Sequence, residues 1–354
     1  MYPIIELAKN IALSNVMELP APYKLTYALT YRCQLQCGMC NIWRQKPSRE
    51  MTVEQIAAFF ERTSGFSWIN LSGGEIFLRP DLLAIIGAIA SSCRSVYLLN
   101  FPTNGYLTDV IVDAVEAIIR SFRFPKLLVT VSLDGPPALH DQIRNTPGSW
   151  DRAVETYRRL RALKSGRFNV FLGMTLQDVN AHAFEETVRS VRDQIGNVRY
   201  QDVHVNLAHT SSHYYANAGA DIHRDKHQTL SQLARIRTLR KTSRLDPVNY
   251  LERRYQRLAS RYITDGNCPT GCQAFGASLF MDPAGTIYPC SGFDSPIGNI
   301  VDHDCRLDTL WRAPRRRSIR REIIKGNCPQ CWTPCEAYQS ILADLVPISA
   351  RYGR

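Results

Sequence analysis

Three cysteines in YRCQLQCGMC, Cys33, Cys37 and Cys40, have the spacing C-x3-C-x2-C. Thiolates so placed can wrap a metal, yet structural zinc closes its shell with four ligands, commonly presented as two C-x2-C knuckles. Arg32, Gln34, Gln36 and Asn41 flank the group, with no histidine or fourth cysteine nearby. A [4Fe–4S] cluster held by three cysteines leaves one iron open to a small chelating molecule. Met39, immediately before the last cysteine, is placed to line a flat ring.

A second group follows far downstream, in NCPTGCQAFGASLFMDPAGTIYPC and NCPQCWTPC: Cys268, Cys272, Cys290, Cys328, Cys331 and Cys335. DPAGTIYPC reads as a β-hairpin delivering Cys290 at the end of its second strand. Cys328 and Cys331 form a C-x2-C knuckle. The pattern suits a zinc ribbon or an iron–sulfur cluster, and composition does not separate them. Cys93 and Cys305 read as structural thiols. Eleven cysteines in a chain lacking an export signal point to metal or redox chemistry in a reducing cytosol rather than a disulfide framework.

These residues need a scaffold. From residue 24 to about 207, apolar strand patterns at 24–31, 67–73, 95–101, 126–135, 168–176 and 203–208 alternate with helical patterns near 52–62, 80–92, 107–121, 149–164 and 180–195. Thr52 before Glu54, and Ser149 before Trp150, read as helix caps. Six such alternations predict a parallel sheet with crossover helices, whose C-terminal strand ends carry the ligand site. Those ends are polar or glycine-rich: Gly73-Gly74-Glu75, Thr103-Asn104-Gly105, Ser132 with Asp134, and Asn206. His140-Asp141 is expected to order the loop after the fourth strand. His209, His213 and Tyr214, just past the sixth strand, are expected to contact substrate or lie at the surface, with a metal pair as the sharper alternative.

The 354 residues exceed what one core usually organises, so the organisation expected is an N-terminal amphipathic helix (1–21), a barrel (22–210), a helical connector (211–265) and a small cysteine-bearing domain (266–354). In the first of these, Ile4, Ile5, Ala8, Ile11 and Ala12 fall at helical spacing and are expected to pack on the body; contact with a membrane surface is the alternative. No stretch has the apolar length of a transmembrane span, and the first twenty residues have no signal-peptide pattern. The net charge of +11 suits anionic partners without choosing among them. The basic run 312–325 reads as a solvated helix face more readily than a nucleic-acid groove.

Taken together and in order, TYRCQLQCGMC at the end of a first strand, LSGGE (71–75), FPTNG (101–105), VSLDG (131–135) and HDQIRNTPGSW (140–150) resemble the radical S-adenosylmethionine (SAM) enzymes. Ile76 departs from the proline that family most often has after GGE, which implies a small change in turn stiffness. The resemblance spans residues 22–210 and implies an α/β fold, a partial (β/α)6 TIM-like barrel. It implies a [4Fe–4S] cluster on Cys33, Cys37 and Cys40, with SAM on the open iron. Gly73, Gly74 and Glu75 would hold the SAM amino group, and Ser132 and Arg144 its ribose or carboxylate. Met39, Thr103, Asn104, Asp134 and Asn206 would complete the seat. The chemistry implied is reductive cleavage of SAM to a 5′-deoxyadenosyl radical, with electrons from a flavodoxin or ferredoxin.

The downstream cysteines, the hairpin ending in YPC, IGNI (297–300) and Leu310-Trp311 are similar to the SPASM and twitch extensions of that family. The shorter, twitch-type set implies one auxiliary [4Fe–4S] cluster on Cys272, Cys290, Cys328 and Cys331, with Cys335 or Cys268 in reserve. The expected substrate is a small molecule or lipid, since no leader-peptide-binding domain precedes residue 22; a ribosomal peptide is the alternative. A zinc- or cluster-bearing nucleic-acid-binding protein is the competing reading from another class.

Overall fold

The computed structural model describes residues 2–45, 49–220, 225–240 and 246–345. Parts of the expected connector (221–224 and 241–245) and of the expected C-terminal domain (346–354) lie outside these. Six parallel strands stand in chain order across one sheet: β1 (Lys24–Thr30), β2 (Trp68–Gly73), β3 (Leu98–Thr103), β4 (Lys126–Ser132), β5 (Phe168–Leu176) and β6 (Val203–Leu207). Helices Val53–Arg62, Leu82–Ser92, Thr108–Ser121, Ser149–Ala162 and Phe184–Ile195 make the right-length crossovers between them. The result is a TIM-like partial barrel.

Alternation along the strands sorts side chains to two faces. Leu25, Tyr27, Leu29, Ile69, Leu71, Leu99, Val129, Val131, Val170, Leu172 and Val205 join Ile56, Phe59, Ile85, Val115, Val154 and Val188 of the helices in one buried core. The other face is therefore the barrel lumen, where Asn70, Ser72, Asn100, Thr130, Ser132, Thr175, His204 and Asn206 stand among Trp68, Leu98, Leu128 and Phe171.

The downstream segment continues this sheet. β7 (Ser278–Met281) pairs parallel with β1, Lys24 opposite Ser278 through Tyr27 opposite Met281. The hairpin expected at DPAGTIYPC forms between β7 and β8 (Thr286–Tyr288), and β9 (Gly298–Asn299) adds to β8. At the far edge, β6 has no strand partner beyond it among the described residues, and unpaired edge amides invite aggregation. Helix Pro247–Asp265 covers them: Glu252 Oε1 accepts from Val205 N at 2.8 Å and Tyr255 Oη from Leu207 N at 3.2 Å. Tyr255 in turn stacks on Trp332 (15° between planes) and donates to its carbonyl at 3.0 Å. Both edges of the barrel sheet are thus closed by residues of the chain's second half.

Several local expectations need correction. β3 starts at Leu98 rather than 95 and runs to Thr103. A helix, Pro137–Arg144, stands where an irregular loop was expected. Thr52 caps its helix in a full capping box with Gln55. Ser149 caps nothing; Asp141 does that work, accepting from Gly148 N (2.6 Å), Trp150 N (2.8 Å) and Ser149 Oγ (2.8 Å). The N-terminal helix Pro3–Leu13 packs through Leu7 against Leu19, Tyr23 and Ala277, which leaves Ile4 and Ile5 about half exposed. Periodicity located the helix but could not say which stripe its neighbours would take. Among the described residues, no helix is long and apolar enough to cross a membrane.

Glu252 is fully buried and also holds Gln256 Nε2 (3.0 Å) and the Tyr338 hydroxyl (2.5 Å). Glu252→Leu strands these donors and the neighbouring Arg240, and should lower stability by about 3–5 kcal/mol in urea unfolding. Glu252→Gln, which keeps an acceptor, should cost clearly less; equal losses would show that the edge bonds do not matter.

Candidate active site

The cysteine loop leaves the top of β1 and is pinned from several sides. Gly38 N donates to Ile143 O (2.9 Å), Cys40 N to Cys37 O (3.2 Å), and Trp43 Nε1 to Cys40 O (3.0 Å). The Met39 carbonyl accepts from Asn217 Nδ2 at 2.8 Å. Cys37 is buried, and Cys33 and Cys40 are half-buried. Burial pushes the Cys33 thiol up to about 11 and the Cys40 thiol to about 12. Burial thus disfavours the free thiolates, and a bound metal would have to displace these protons and supply the missing positive charge. Two polar hydrogens already point at sulfur, Asn104 Nδ2 at Cys33 (3.8 Å) and Arg144 Nη1 at Cys37 (3.6 Å).

Beside this loop, β2 ends in the glycine pair. A Cβ on Gly73 (φ +135°) would lie 2.2 Å from Thr30 O, and one on Gly74 would lie 2.1 Å from Arg32 O. Only glycine lets the β2 tip press against the backbone that launches the cysteine loop. The next residue, Glu75, is fully buried. Its carboxylate accepts from Thr103 Oγ1 (3.0 Å to each oxygen) and Asn104 N (2.8 Å) at the top of β3. Burial pushes its pKa up to about 7, with these bonds pulling the other way. Glu75 also caps the short turn Ile76–Leu78 through Phe77 N (3.5 Å).

Across the mouth, Asp134 is buried, accepts from Thr175 N (2.8 Å) and pairs with Arg144 Nη2 at 2.5 Å. Burial works against the Arg144 charge, but Asp134 and the Cys37 sulfur together hold it above the ordinary guanidinium range. Arg144 therefore links Cys37 to the fourth strand end. His140 Nδ1 accepts from Asp134 N (3.0 Å) and fixes the same corner. Ser132 (opposite Gly173) and Asn206 (opposite Thr175) are half-buried on the lumen face.

The residues after β6 have a different place from the one the sequence suggested. Tyr214 is buried, its hydroxyl bonded to Ser72 Oγ (2.7 Å) and Gly73 N (3.2 Å). His213 Nε2 donates to Cys290 O (3.2 Å), and its ring stacks on Tyr288. His209 tilts against Tyr262. His209 and His213 thus face different neighbours, and among the described residues no three His, Cys, Asp or Glu side chains gather closely enough for a single ion.

Of the downstream cysteines, Cys268, Cys272, Cys290, Cys328 and Cys331 line one cavity of about 810 Å³. Its walls include backbone fixed by Arg320, whose Nη1 donates to Cys272 O (2.6 Å) and Ala274 O (3.0 Å). Arg316 grips Phe275 O at 2.7 Å, so it and Arg320, two of the seven basic residues in the run 312–325, serve this segment rather than solvent. A hydrogen bond with Cys331 and burial push the Cys290 thiol up. Several sulfurs around a space, rather than around a point, fit a multi-iron cluster better than a lone zinc ion. Cys335 does not line this cavity; its sulfur accepts from Asn70 Nδ2 on the lumen face at 3.7 Å.

The strand-end motifs were legible in the sequence. The Arg144–Asp134–Cys37 link, Asn217 and the Tyr214 hydroxyl were not, because each joins segments far apart in the chain with no local pattern to announce it.

Residues 27–191 match the Radical SAM superfamily, and residues 272–335 the SPASM iron–sulfur cluster-binding domain. Mycofactocin maturase MftC of Mycolicibacterium smegmatis is 32% identical over 331 residues, covering 88% of this chain and 76% of that protein. The antilisterial bacteriocin subtilosin biosynthesis protein AlbA of Bacillus subtilis is 24% identical over 338 residues, 90% of this chain and 68% of that one. Among solved structures, Streptococcus suis SuiB bound to SAM superposes with a TM-score of 0.60 at 16% identity, over 90% of this chain and 71% of SuiB. The chain belongs to the radical SAM superfamily and carries a SPASM iron–sulfur cluster-binding domain downstream of its partial barrel.

Proposed function

We propose that this enzyme matures a peptide, with SAM seated in the barrel mouth and one auxiliary [4Fe–4S] cluster beside it. The observation that carries this reading is the likeness to MftC and AlbA, a maturase and a bacteriocin biosynthesis protein, which runs through both the barrel and the cysteine segment. SuiB, with the same fold, has also been solved with its precursor peptide. The comparisons thus favour a peptide over the small molecule or lipid expected from the sequence. The lumen supports this. Amide and hydroxyl side chains at Asn70, Asn100, Thr130, Ser132 and Asn206 can exchange hydrogen bonds with the backbone groups of a peptide, which a lipid tail cannot.

Cys33, Cys37 and Cys40 would hold the first cluster, and Cys272, Cys290, Cys328 and Cys331 the auxiliary one, with Cys268 within reach of the same cavity. When bound, the first cluster supplies the electron that cleaves SAM, drawn from a low-potential flavodoxin or ferredoxin. The protein's own part is to seat SAM. Gly73 and Gly74 offer backbone at the base of the cysteine loop. Glu75 sets a buried carboxylate toward the SAM ammonium, and Thr103 and Asn104 fix its orientation. Arg144, held by Asp134, steadies the Cys37 side. Ser132 and Asn206 face the remaining space, with Met39 half-buried at the rim.

Glu75 gives this seat a pH signature. With the pKa raised to about 7, the unliganded carboxyl is largely protonated below that pH, and binding the ammonium must expel the proton. SAM affinity should therefore fall as pH drops below about 7, by up to about tenfold per unit. Calorimetric titrations on anaerobically reconstituted protein will show the slope. Glu75→Gln should bind SAM more weakly and without it; a slope surviving in that variant would assign it to another group.

Metal content checks the ligand sets. Reconstituted protein should carry about eight irons, and Cys33→Ala/Cys37→Ala/Cys40→Ala about four, with no 5′-deoxyadenosine released. Substrate class is read from cell extract added to the reduced enzyme with SAM. Stimulation of 5′-deoxyadenosine release that disappears when the extract is first digested with protease supports a peptide. Stimulation that survives digestion returns the substrate to the small-molecule or lipid class.

A further inference from the structure

The segment Ser211–Asn217 bonds to both cysteine sites at once. On the barrel side, the Tyr214 hydroxyl accepts from Gly73 N (3.2 Å), lies 3.3 Å from Gly73 O and bonds Ser72 Oγ (2.7 Å). Asn41, next to Cys40 in the chain, donates from N to Tyr215 O (2.9 Å) and from Nδ2 to Ala216 O (3.1 Å). Gln45 Nε2 donates to Tyr214 O, and Asn217 Nδ2 to Met39 O at 2.8 Å. On the other side, His213 Nε2 donates to the carbonyl of Cys290 (3.2 Å) and its ring stacks on Tyr288 at 4.4 Å. Ser212 Oγ bonds Asp294 at 2.9 Å. Ala216 sits at φ +51°, left-handed backbone that a residue with a Cβ adopts at a cost and keeps only when its surroundings impose it. Here that conformation presents the Ala216 carbonyl that Asn41 engages.

We infer that Tyr214 and His213 are positioning residues: Tyr214 sets the Gly73–Glu75 turn, and His213 makes that setting depend on the auxiliary site. This rests on the cluster and SAM assignments proposed above. A loaded auxiliary site fixes Cys290, Cys290 fixes His213, and the four residues that follow it, 214–217, fix the SAM turn and the cysteine loop. Coupling between sites is reciprocal in binding free energy, so it is measurable as a change in SAM affinity alone.

The test uses the whole reconstituted chain without substrate. SAM dissociation constants come from anaerobic equilibrium dialysis, and iron counts confirm which site is loaded. Cys328→Ala/Cys331→Ala should weaken SAM binding about fivefold or more, within the usual range of coupling between sites. His213→Phe keeps the stack on Tyr288 but loses the bond to Cys290, and should weaken SAM binding to a similar degree. Combining the two should add less than about a further twofold, since both break one link. Effects that multiply in full, or a cysteine pair variant that binds SAM as wild type does, would overturn the inference. Wild-type protein reconstituted to about four irons at the first site is the second measure should the pair variant fail to fold. Tyr214→Phe should raise the dissociation constant about five- to tenfold and alter the electron paramagnetic resonance spectrum of the reduced, SAM-bound protein; no change in either overturns the role of Tyr214. Cys33→Ala/Cys37→Ala/Cys40→Ala is the reference: undiminished SAM binding there would fell the site assignment itself.

Discussion

The parallel pairing of β1 with strands on both of its sides is the constraint on which the other arrangements rest. β2 and β7 flank it, every residue of β1 is buried, and the first cysteine loop leaves its top. The glycine tip of β2 and the hairpin that leads to Cys290 are therefore positioned against one strand, β2 along Lys24–Thr30 and β7 along residues 24–27. Lys24, at the foot of β1, reinforces the join. Its ammonium is buried, lies over the Trp68 ring at 4.3 Å, and donates to Gln339 Oε1 (2.5 Å) and to the Cys335 carbonyl. Burial lowers its pKa, so the contacts offered by helix Pro334–Asp344 are what keep a lysine tolerable there. Neither cysteine site can shift far relative to the other without breaking this sheet.

That rigidity explains which parts were readable from residue order. Strand alternation, the caps at Thr52 and the polar strand tips are local, with periods of a few residues, and they placed the barrel and Cys33, Cys37, Cys40, Gly73, Gly74 and Glu75 at its mouth. What escaped is non-local. Nothing near Tyr214 announces a bond to Gly73, 141 residues away. Glu252 and Tyr255 look like ordinary members of an amphipathic helix until β6 is seen to lack a partner strand. Asp141 caps a helix that begins several residues later, so a rule seeking Ser or Thr at the boundary chose Ser149. The parallel β1–β7 pairing was also invisible, because a hairpin motif specifies its own two strands and not the sheet it joins.

Charge placement at the mouth follows one rule, that a buried ion needs a partner. Arg144 has two, Asp134 and the Cys37 sulfur, and so keeps its charge. Glu75 is held by the hydrogen-bond donors Asn104, Thr103 and Phe77, with Arg144 only a minor influence, and burial raises its pKa to about 7. A carboxyl left short of a cation in a closed site is poised for a cationic ligand, whose arrival completes the pair. The asymmetry between these two residues is thus a physical reason to seat the ammonium of SAM at Glu75, independent of the motif that first drew attention to it.

The lumen face carries the same reasoning to the substrate. Trp68 Nε1 donates to Asn100 Oδ1 (2.7 Å), Asn100 Nδ2 to Asn70 Oδ1 (2.6 Å), and Asn70 Nδ2 to the Cys335 sulfur (3.7 Å). This chain of amides runs across β2 and β3 to the helix that closes the barrel. Side-chain amides have the same donors and acceptors as peptide backbone, and the two Asn residues retain valences that the chain does not consume. A peptide strand entering the mouth can meet them with its own N–H and C=O groups, so desolvating the lumen wall is repaid bond for bond. A saturated lipid tail offers no such exchange, and burying it there would leave the remaining amide valences of Asn70 and Asn100 without a partner. These spare amide valences therefore weigh for a peptide on grounds separate from the likeness to known maturases.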